Sequence, residues 1–349
     1  MQTKNLLLEH CQTYPQLQIR DIFKFLHQSA LGCEHFMTDL GKAIAYIDYE
    51  ATQCQFHSEP LTEPLDGNFC RVHLDWINAG LSTKTLGKLF FLSAKPAENG
   101  IPMLEKKLTI FTEMVHNGLL PFSPAEAEKE IFAWKAAGYP PCHHSDSFRN
   151  KYFPAYRVIR KDFAFFLPLL LQIDHMLQTG KVTLAIEGGS ASGKTTLSEM
   201  LKKIYDATVF HMDDFFLRPE QRTKERLAQP GGNIDWERFL EEVLTPLKNN
   251  APINYSAFDC STFTLSPPVV MNPSPVTIIE GAYSMHPELA AHYNLSVFLD
   301  ISPSLQEKRI RKRNSAPLAE RFFHEWIPME QQYFEKTHAK ERCDLIMDI

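Results

Sequence analysis

The chain has 349 residues, 44% hydrophobic and 22% charged, which is ordinary globular usage with material for two cores and excludes a disordered or fibrous chain. Its formal net charge of −6 argues against bulk attraction to nucleic acid or to an anionic membrane, and so favours small-molecule chemistry. The seven cysteines are odd in number and scattered, with no C-x-x-C pair, as suits reduced thiols in a cytoplasm. The opening stretch MQTKNLLLEHCQTYPQ has no signal-peptide pattern, so a cytoplasmic protein is expected.

From the N-terminus, Ile22, Phe23 and Leu26, then Phe36, Leu40, Ile44 and Ile47, recur at helical intervals. PAEAEKEIFAWKAAG (Pro124–Gly138) opens on proline and closes on glycine, as helices do. The apolar run FAFFLPLLLQI (Phe163–Ile173) falls well short of a bilayer span and reads as a buried helix. Residues 1–178 are therefore read as a mainly α-helical domain whose role the pattern leaves open. Two clusters stand out in it, GCEHF (Gly32–Phe36) and the segment Pro140–Lys161. Cys33, His35, Cys142, His143 and His144 do not form a standard zinc spacing. The arginines and tyrosines of the second cluster read either as groups near a bound acceptor, with Arg149 or Arg157 at its edge, or as packing at a domain interface.

A second domain, 179–349, opens with the strand-like KVTLAI (Lys181–Ile186), and Leu197, Met200, Leu201 and Ile204 follow at helical spacing. Between them, Gly188, Gly193, Lys194 and Thr195 fill the pattern G-x-x-x-x-G-K-[ST], a P-loop. Gly188, Gly189, Ser190, Ala191, Ser192, Gly193, Lys194, Thr195 and Thr196 are the expected phosphate cradle. The glycines let the backbone approach closely, and the free amides of the helix N-terminus face the anion. Lys194 adds a cation near the β- and γ-phosphates of ATP, and the Thr195 hydroxyl can ligate Mg²⁺. TVFHM (Thr208–Met212), VTIIE (Val276–Glu280), LSVFLDI (Leu295–Ile301) and DLIMDI (Asp344–Ile349) read as further strands. Trp236, Phe239, Leu240, Val243, Leu244 and Leu247 mark an amphipathic helix. Strands alternating with helices around a P-loop predict an α/β fold, a doubly wound parallel sheet with its ligand at the carboxyl ends of the strands.

Acids at those strand ends decide what is done with the phosphates. Asp213 and Asp214 follow the second strand, where a carboxylate can take a proton from an attacking hydroxyl or orient the metal; side chains there diverge, so one of the two is expected to face the site. Glu280 ends a third strand, where a metal-linked acid is expected. The run KRIRKRN (Lys308–Asn314) offers cations to a transferring phosphoryl group.

GGSASGKTT, MDDFF, IIEGAY and KRIRKRN, in that order, resemble the uridine kinase and phosphoribulokinase group of P-loop kinases over roughly residues 180–349. The resemblance implies Mg²⁺- and ATP-dependent phosphoryl transfer to an alcohol. By position it implies Asp213 as the catalytic acid–base group, Glu280 as the acid of the later strand, and Thr195, Asp213 and Glu280 around the metal. It implies Asp235, in NIDWERF, as a holder of the acceptor's hydroxyls, with Asp214, Phe258 and Asp259 beside the acceptor. Arg309 and Arg313 correspond to lid arginines that reach the phosphates, and a one-residue slip leaves Arg311 or Lys312 in their place. Uridine kinases carry a Tyr-Asp-Phe segment and a nearby histidine where this chain has FDCSTFT, with Phe258, Asp259 and Phe263. The acceptor is thus a nucleoside or another sugar-like alcohol, and the resemblance does not extend to uracil. A second reading is an ATPase switch whose helical half engages a protein partner; no Asn-Lys-x-Asp-like guanine element is present.

Overall fold

The computed structural model describes residues 2–33, 39–54, 61–94 and 99–349. It divides into two compact units, Met1–Asp174 and His175–Ile349. His35 and Phe36 of the GCEHF cluster lie outside the described residues. No described helix is long and apolar enough to cross a membrane.

The N-terminal unit contains helices α1 (Gln2–Thr13), α2 (Ile19–Leu31), α3 (Leu40–Gln53), α4 (Thr83–Ser93), α5 (Gly100–His116), α6 (Pro124–Ala136), α7 (Asp146–Tyr152) and most of α8 (Leu167–Leu177), whose last turn passes the boundary at Asp174. Helix α2 buries Ile22, Phe23 and Leu26 at helical spacing, and Phe23 stacks on Trp134 of α6 with ring centroids 4.5 Å apart. Helix α6 begins at Pro124, where the missing N–H costs nothing because no intrahelical partner exists. A three-stranded antiparallel sheet, β1 (Thr62–Pro64), β2 (Phe69–His73) and β3 (Tyr156–Arg160) in the order β1-β2-β3, accompanies the helices and was not expected from the pattern. Its interior positions include Arg71 and Arg157, both buried. A buried arginine reads as a polar break in the sequence, so neither run shows a strand signature.

The C-terminal unit contains β4 (Val182–Gly188), α9 (Lys194–Tyr205), β5 (Thr208–His211), β6 (Val276–Glu280), β7 (Leu295–Asp300), α10 (Pro303–Arg313), α11 (Ile327–Thr337) and β8 (Leu345–Asp348). Its five strands form one sheet in the order β8-β7-β4-β6-β5, all parallel, which is the predicted doubly wound α/β architecture. Strand β6 is buried along its whole length and β4 nearly so, which explains their continuous apolar runs. From β4 the chain crosses to β5 and β6 on one side and to β7 and β8 on the other. The order reverses at β4, and parallel sheets place ligands at such a point, beyond the strands' carboxyl ends. Register aligns those ends, with Glu280 opposite Ile186 and His211, and Gly188 opposite Leu299.

The helix predicted through Trp236 and Leu247 is interrupted. Helical turns at Trp236–Phe239 and Thr245–Lys248 flank a widened π turn, Leu240–Leu244. Pro246 has no N–H and its ring crowds the carbonyl one turn earlier, so the ladder reopens with a wider ring. Two small antiparallel ribbons follow, Ile253–Tyr255 with Val269–Met271 and Phe258–Asp259 with Thr264–Leu265.

Candidate active site

The P-loop leaves β4 through Gly188, whose φ of +146° favours glycine, and a Cβ there would sit 2.6 Å from the Leu299 carbonyl oxygen of β7. Gly193, at φ +106°, caps the N-terminus of α9. The Lys194 ammonium folds back over the loop and donates to the carbonyls of Gly188 (2.8 Å) and Gly189 (3.0 Å). Thr195 and Thr196 occupy the first turn of α9, where backbone amides have no intrahelical acceptor.

Three groups outside the loop brace it. Gln306 Nε2 donates to the Ser190 carbonyl at 2.9 Å. Arg309 Nη1 donates to the carbonyls of Ala191 (3.0 Å) and Ser192 (3.2 Å). The Glu330 carboxylate of α11 accepts from the Ser190 amide (2.8 Å) and hydroxyl (2.6 Å). Burial raises the pKa of Glu330 despite these donors and the Lys194 ammonium. Beneath the loop, the fully buried Glu187 accepts from the amides of Gly188 (2.8 Å) and Met285 (2.9 Å) and from the Tyr333 hydroxyl (3.1 Å). Burial pushes Glu187 up to about 7 against those donors.

At the end of β6, one oxygen of Glu280 accepts both the Thr195 hydroxyl (3.1 Å) and His211 Nδ1 (2.7 Å). Chiefly this hydrogen bond raises the His211 pKa. Asp213, in the tight turn Met212–Phe215 that follows β5, presents an exposed side chain. Its carboxyl is nevertheless crowded enough that desolvation raises its pKa, with Lys194 opposing and Glu280 adding to the rise. Asp214 points differently: it accepts from the Tyr255 hydroxyl at 3.4 Å while its carbonyl takes Arg238 Nη2 at 2.9 Å, and burial raises it too.

The acceptor-side residues lie in separate settings. Asp235 is buried and caps the following helical turn through the Arg238 amide at 3.2 Å, and its other oxygen takes Gln221 Nε2 at 2.8 Å. Phe258 is buried, with the Arg222 guanidinium over its ring at 5.7 Å and over Phe263 at 5.5 Å. Asp259 folds onto its own turn, accepting from the Ser261 amide and hydroxyl, which lower its pKa. Of the basic run, Arg309 turns to the P-loop, Arg311 pairs with Glu307 and Glu320, and Arg313 lies over the Phe322 ring at 5.4 Å.

The structure thus brings together the loop, Lys194, Glu280, Asp213 and Arg309, and leaves Asp235, Asp259 and Arg313 in contacts of their own. Sequence reasoning missed His211, Glu187, Gln306 and Glu330. His211 sits inside the run TVFHM and Glu187 between KVTLAI and the P-loop, and a polar residue within or at the end of an otherwise apolar strand was their available signal. Gln306 and Glu330 gave none, because their partners are more than a hundred residues away.

Residues 183–316 match the model of the Phosphoribulokinase / Uridine kinase family. The match lies wholly within the C-terminal unit and contains the P-loop, Asp213, Glu280 and Arg309. The uridine kinase of Anoxybacillus flavithermus is 26% identical over 183 residues, 48% of this chain and 85% of that protein. Uridine kinase-like protein 3 of Arabidopsis thaliana is 26% identical over 142 residues, 38% of this chain and 30% of that protein, so the chain spans less than a third of that relative. A solved structure described as a possible uridine kinase from Bacillus stearothermophilus is 23% identical, with a TM-score of 0.38, and the alignment covers 52% of this chain and 100% of that one.

Proposed function

We propose that the protein is an ATP-dependent phosphotransferase that moves the γ-phosphoryl group of ATP to a hydroxyl of a small metabolite, a nucleoside or another sugar-like alcohol. The observation that carries this reading is the convergence of the P-loop, Lys194, the Thr195–Glu280 pair and Asp213 at the carboxyl ends of β4, β5 and β6.

The loop amides of Gly188–Thr196 bind the phosphates, and Lys194 exchanges the Gly188 and Gly189 carbonyls for phosphate oxygens. Among the described residues no group of three or more His, Cys, Asp or Glu side chains is arranged to hold a metal by itself. Mg²⁺ is usually held by one or two carboxylates and completes its shell with phosphates and water. Thr195, Glu280 and Asp213 offer the hard oxygen donors, and the ion when bound neutralises phosphate charge. Asp213 accepts the proton of the acceptor hydroxyl as the new O–P bond forms and the bond to the β-phosphate oxygen breaks, releasing ADP. A carboxyl whose pKa is raised by desolvation is better matched to that proton than an ordinary surface aspartate. Arg309, already against the loop, adds a cation there; Arg313, Asp235 and Asp259 would have to leave their present contacts to reach the phosphates or, beside Asp214 and Phe258, the acceptor.

The test is a metabolite-library screen for ATP consumption by the purified chain, followed by mass detection of the product. An acceptor gaining one phosphoryl group supports the reading. ATP hydrolysis that no metabolite stimulates and a protein partner accelerates would replace it with the switch reading.

A further inference from the structure

Paired positions on neighbouring strands present their side chains to the same face of a sheet, and the β5–β6 register pairs His211 with Glu280, the last residue of each strand. The sheet itself therefore brings the imidazole to the carboxylate, with no loop involved. His211 Nδ1 meets Glu280 Oε1 at 2.7 Å, as short as a charge-assisted bond. A carboxylate only accepts, so Nδ1 carries the hydrogen whichever charge the ring has. The Thr195 hydroxyl, from the first turn of α9, donates to the same oxygen at 3.1 Å.

Two donors on one oxygen have two consequences. Thr195 has committed its only side-chain hydrogen to Oε1, so its oxygen keeps lone pairs with which to ligate. Glu280 is held through Oε1 from two sides, which fixes the carboxylate, while no donor among the described residues meets Oε2. Glu280 is buried, whereas the His211 side chain is 40% exposed. An ion pair that water reaches from one side contributes little stability, so the effect of this bond falls on where the carboxylate points. Carboxylates that ligate a metal depend on such partners, whose loss costs about 10–100-fold in metal affinity.

We propose that His211 is a positioning residue: by holding Oε1 of Glu280 beside Thr195, it keeps Oε2 and the Thr195 oxygen available to the Mg²⁺ that accompanies ATP. The proposal rests on the phosphotransferase reading and gives the histidine no contact with nucleotide or acceptor.

The test is calorimetric titration of the full chain with the non-hydrolysable ATP analogue AMP-PNP, once in Mg²⁺ and once in EDTA. The ratio of the two affinities measures what the metal adds. Expected is that His211→Ala lowers this ratio about tenfold, while affinity in EDTA and melting temperature stay parental. His211→Asn, whose amide nitrogen takes the Nδ1 place, keeps the parental ratio. An unchanged ratio in His211→Ala, or a lost one in His211→Asn, overturns the assignment and leaves the phosphotransferase reading standing. So does a parent that binds AMP-PNP equally with and without Mg²⁺. A parent that binds AMP-PNP in neither buffer overturns the phosphotransferase reading, and the assignment with it. Should His211→Ala lower the melting temperature, His211→Leu, which keeps the bulk without the donor, decides instead: a lost ratio supports the role and a parental one overturns it.

Discussion

Among the carboxylates, lysines and histidines described in the N-terminal unit, the groups that burial pushes toward the uncharged form are bases: His10 goes down to about 3, His144 to about 4 and Lys24 to about 8. In the C-terminal unit they are mostly acids, with Glu187 pushed up to about 7 and Asp213, Asp214 and Glu330 raised by the same cause; His286, pushed down to about 4, runs the other way. The acids of the N-terminal unit gather donors of their own, as Asp21 does from His144 and Ser145. Of those in the C-terminal unit, Glu187, Asp213 and Glu330 all feel the Lys194 ammonium, whereas Asp214 is opposed by His211, Tyr255 and Arg238. A site with excess carboxylate is completed by a cation or a proton, and one with excess ammonium by an anion.

The largest effects are expected where the comparison bears on chemistry. Asp213→Asn should lower acceptor-dependent turnover by about 10²–10⁴, the usual contribution of a general base, and a loss of only a few-fold would remove Asp213 from that role. Lys194→Ala should cost about 10²–10³ in kcat, as loss of one preorganised electrostatic contact does, while circular dichroism stays that of the parent. Near-parental rates would mean that the loop is not the phosphate site.

Stability sharpens the contrast next. Asp21→Asn replaces a carboxylate that accepts from neutral His144 and from Ser145 and should destabilise the N-terminal unit by about 2 kcal/mol in denaturant titration. A loss below about 1 kcal/mol would show that the network contributes little.

The pH dependences oppose each other. Folded Glu187 binds its proton more tightly than the unfolded chain does, so its contribution to stability declines as pH rises from about 4.5 to about 7. Folded His144 resists the proton that the unfolded chain accepts, so stability declines as pH falls from 6.5 to about 4. Each slope is at most ~1.4 kcal/mol per pH unit. Melting curves from pH 4 to 8 should therefore show Glu187→Gln gaining on the parent as pH rises, and a constant offset would refute the assignment. The smallest effect belongs to Glu330→Gln, which weakens a charge-assisted contact to Ser190 by about 1 kcal/mol. It should raise the KM for ATP a few-fold with kcat nearly constant; a large fall in kcat instead would give Glu330 a part in the chemistry.

What the sequence made legible follows from the range of the signals. Gly188, Gly193, Lys194 and Thr195 announce their loop within eight residues, and strands buried on both faces, such as β6, write continuous apolar runs. Strand ends then locate Asp213 and Glu280 without further information. The three-stranded sheet stayed hidden because Arg71 and Arg157 occupy its interior. The Asp21–His144 bond joins residues 123 apart and Ser190–Glu330 residues 140 apart, and no local period encodes such pairs. The helix through Val243 was periodic as expected, yet Pro246 altered its winding without disturbing its apolar face.

The family match ends at residue 316, yet Glu330 and Tyr333, which tether the P-loop and the glutamate beneath it, come later in the chain. A protein truncated at the family boundary would keep every letter of the phosphate motif and lose two of its anchors, as well as strand β8. Evolution or engineering that exchanged the C-terminal segment would thereby retune nucleotide affinity from a distance, leaving the recognisable motif untouched.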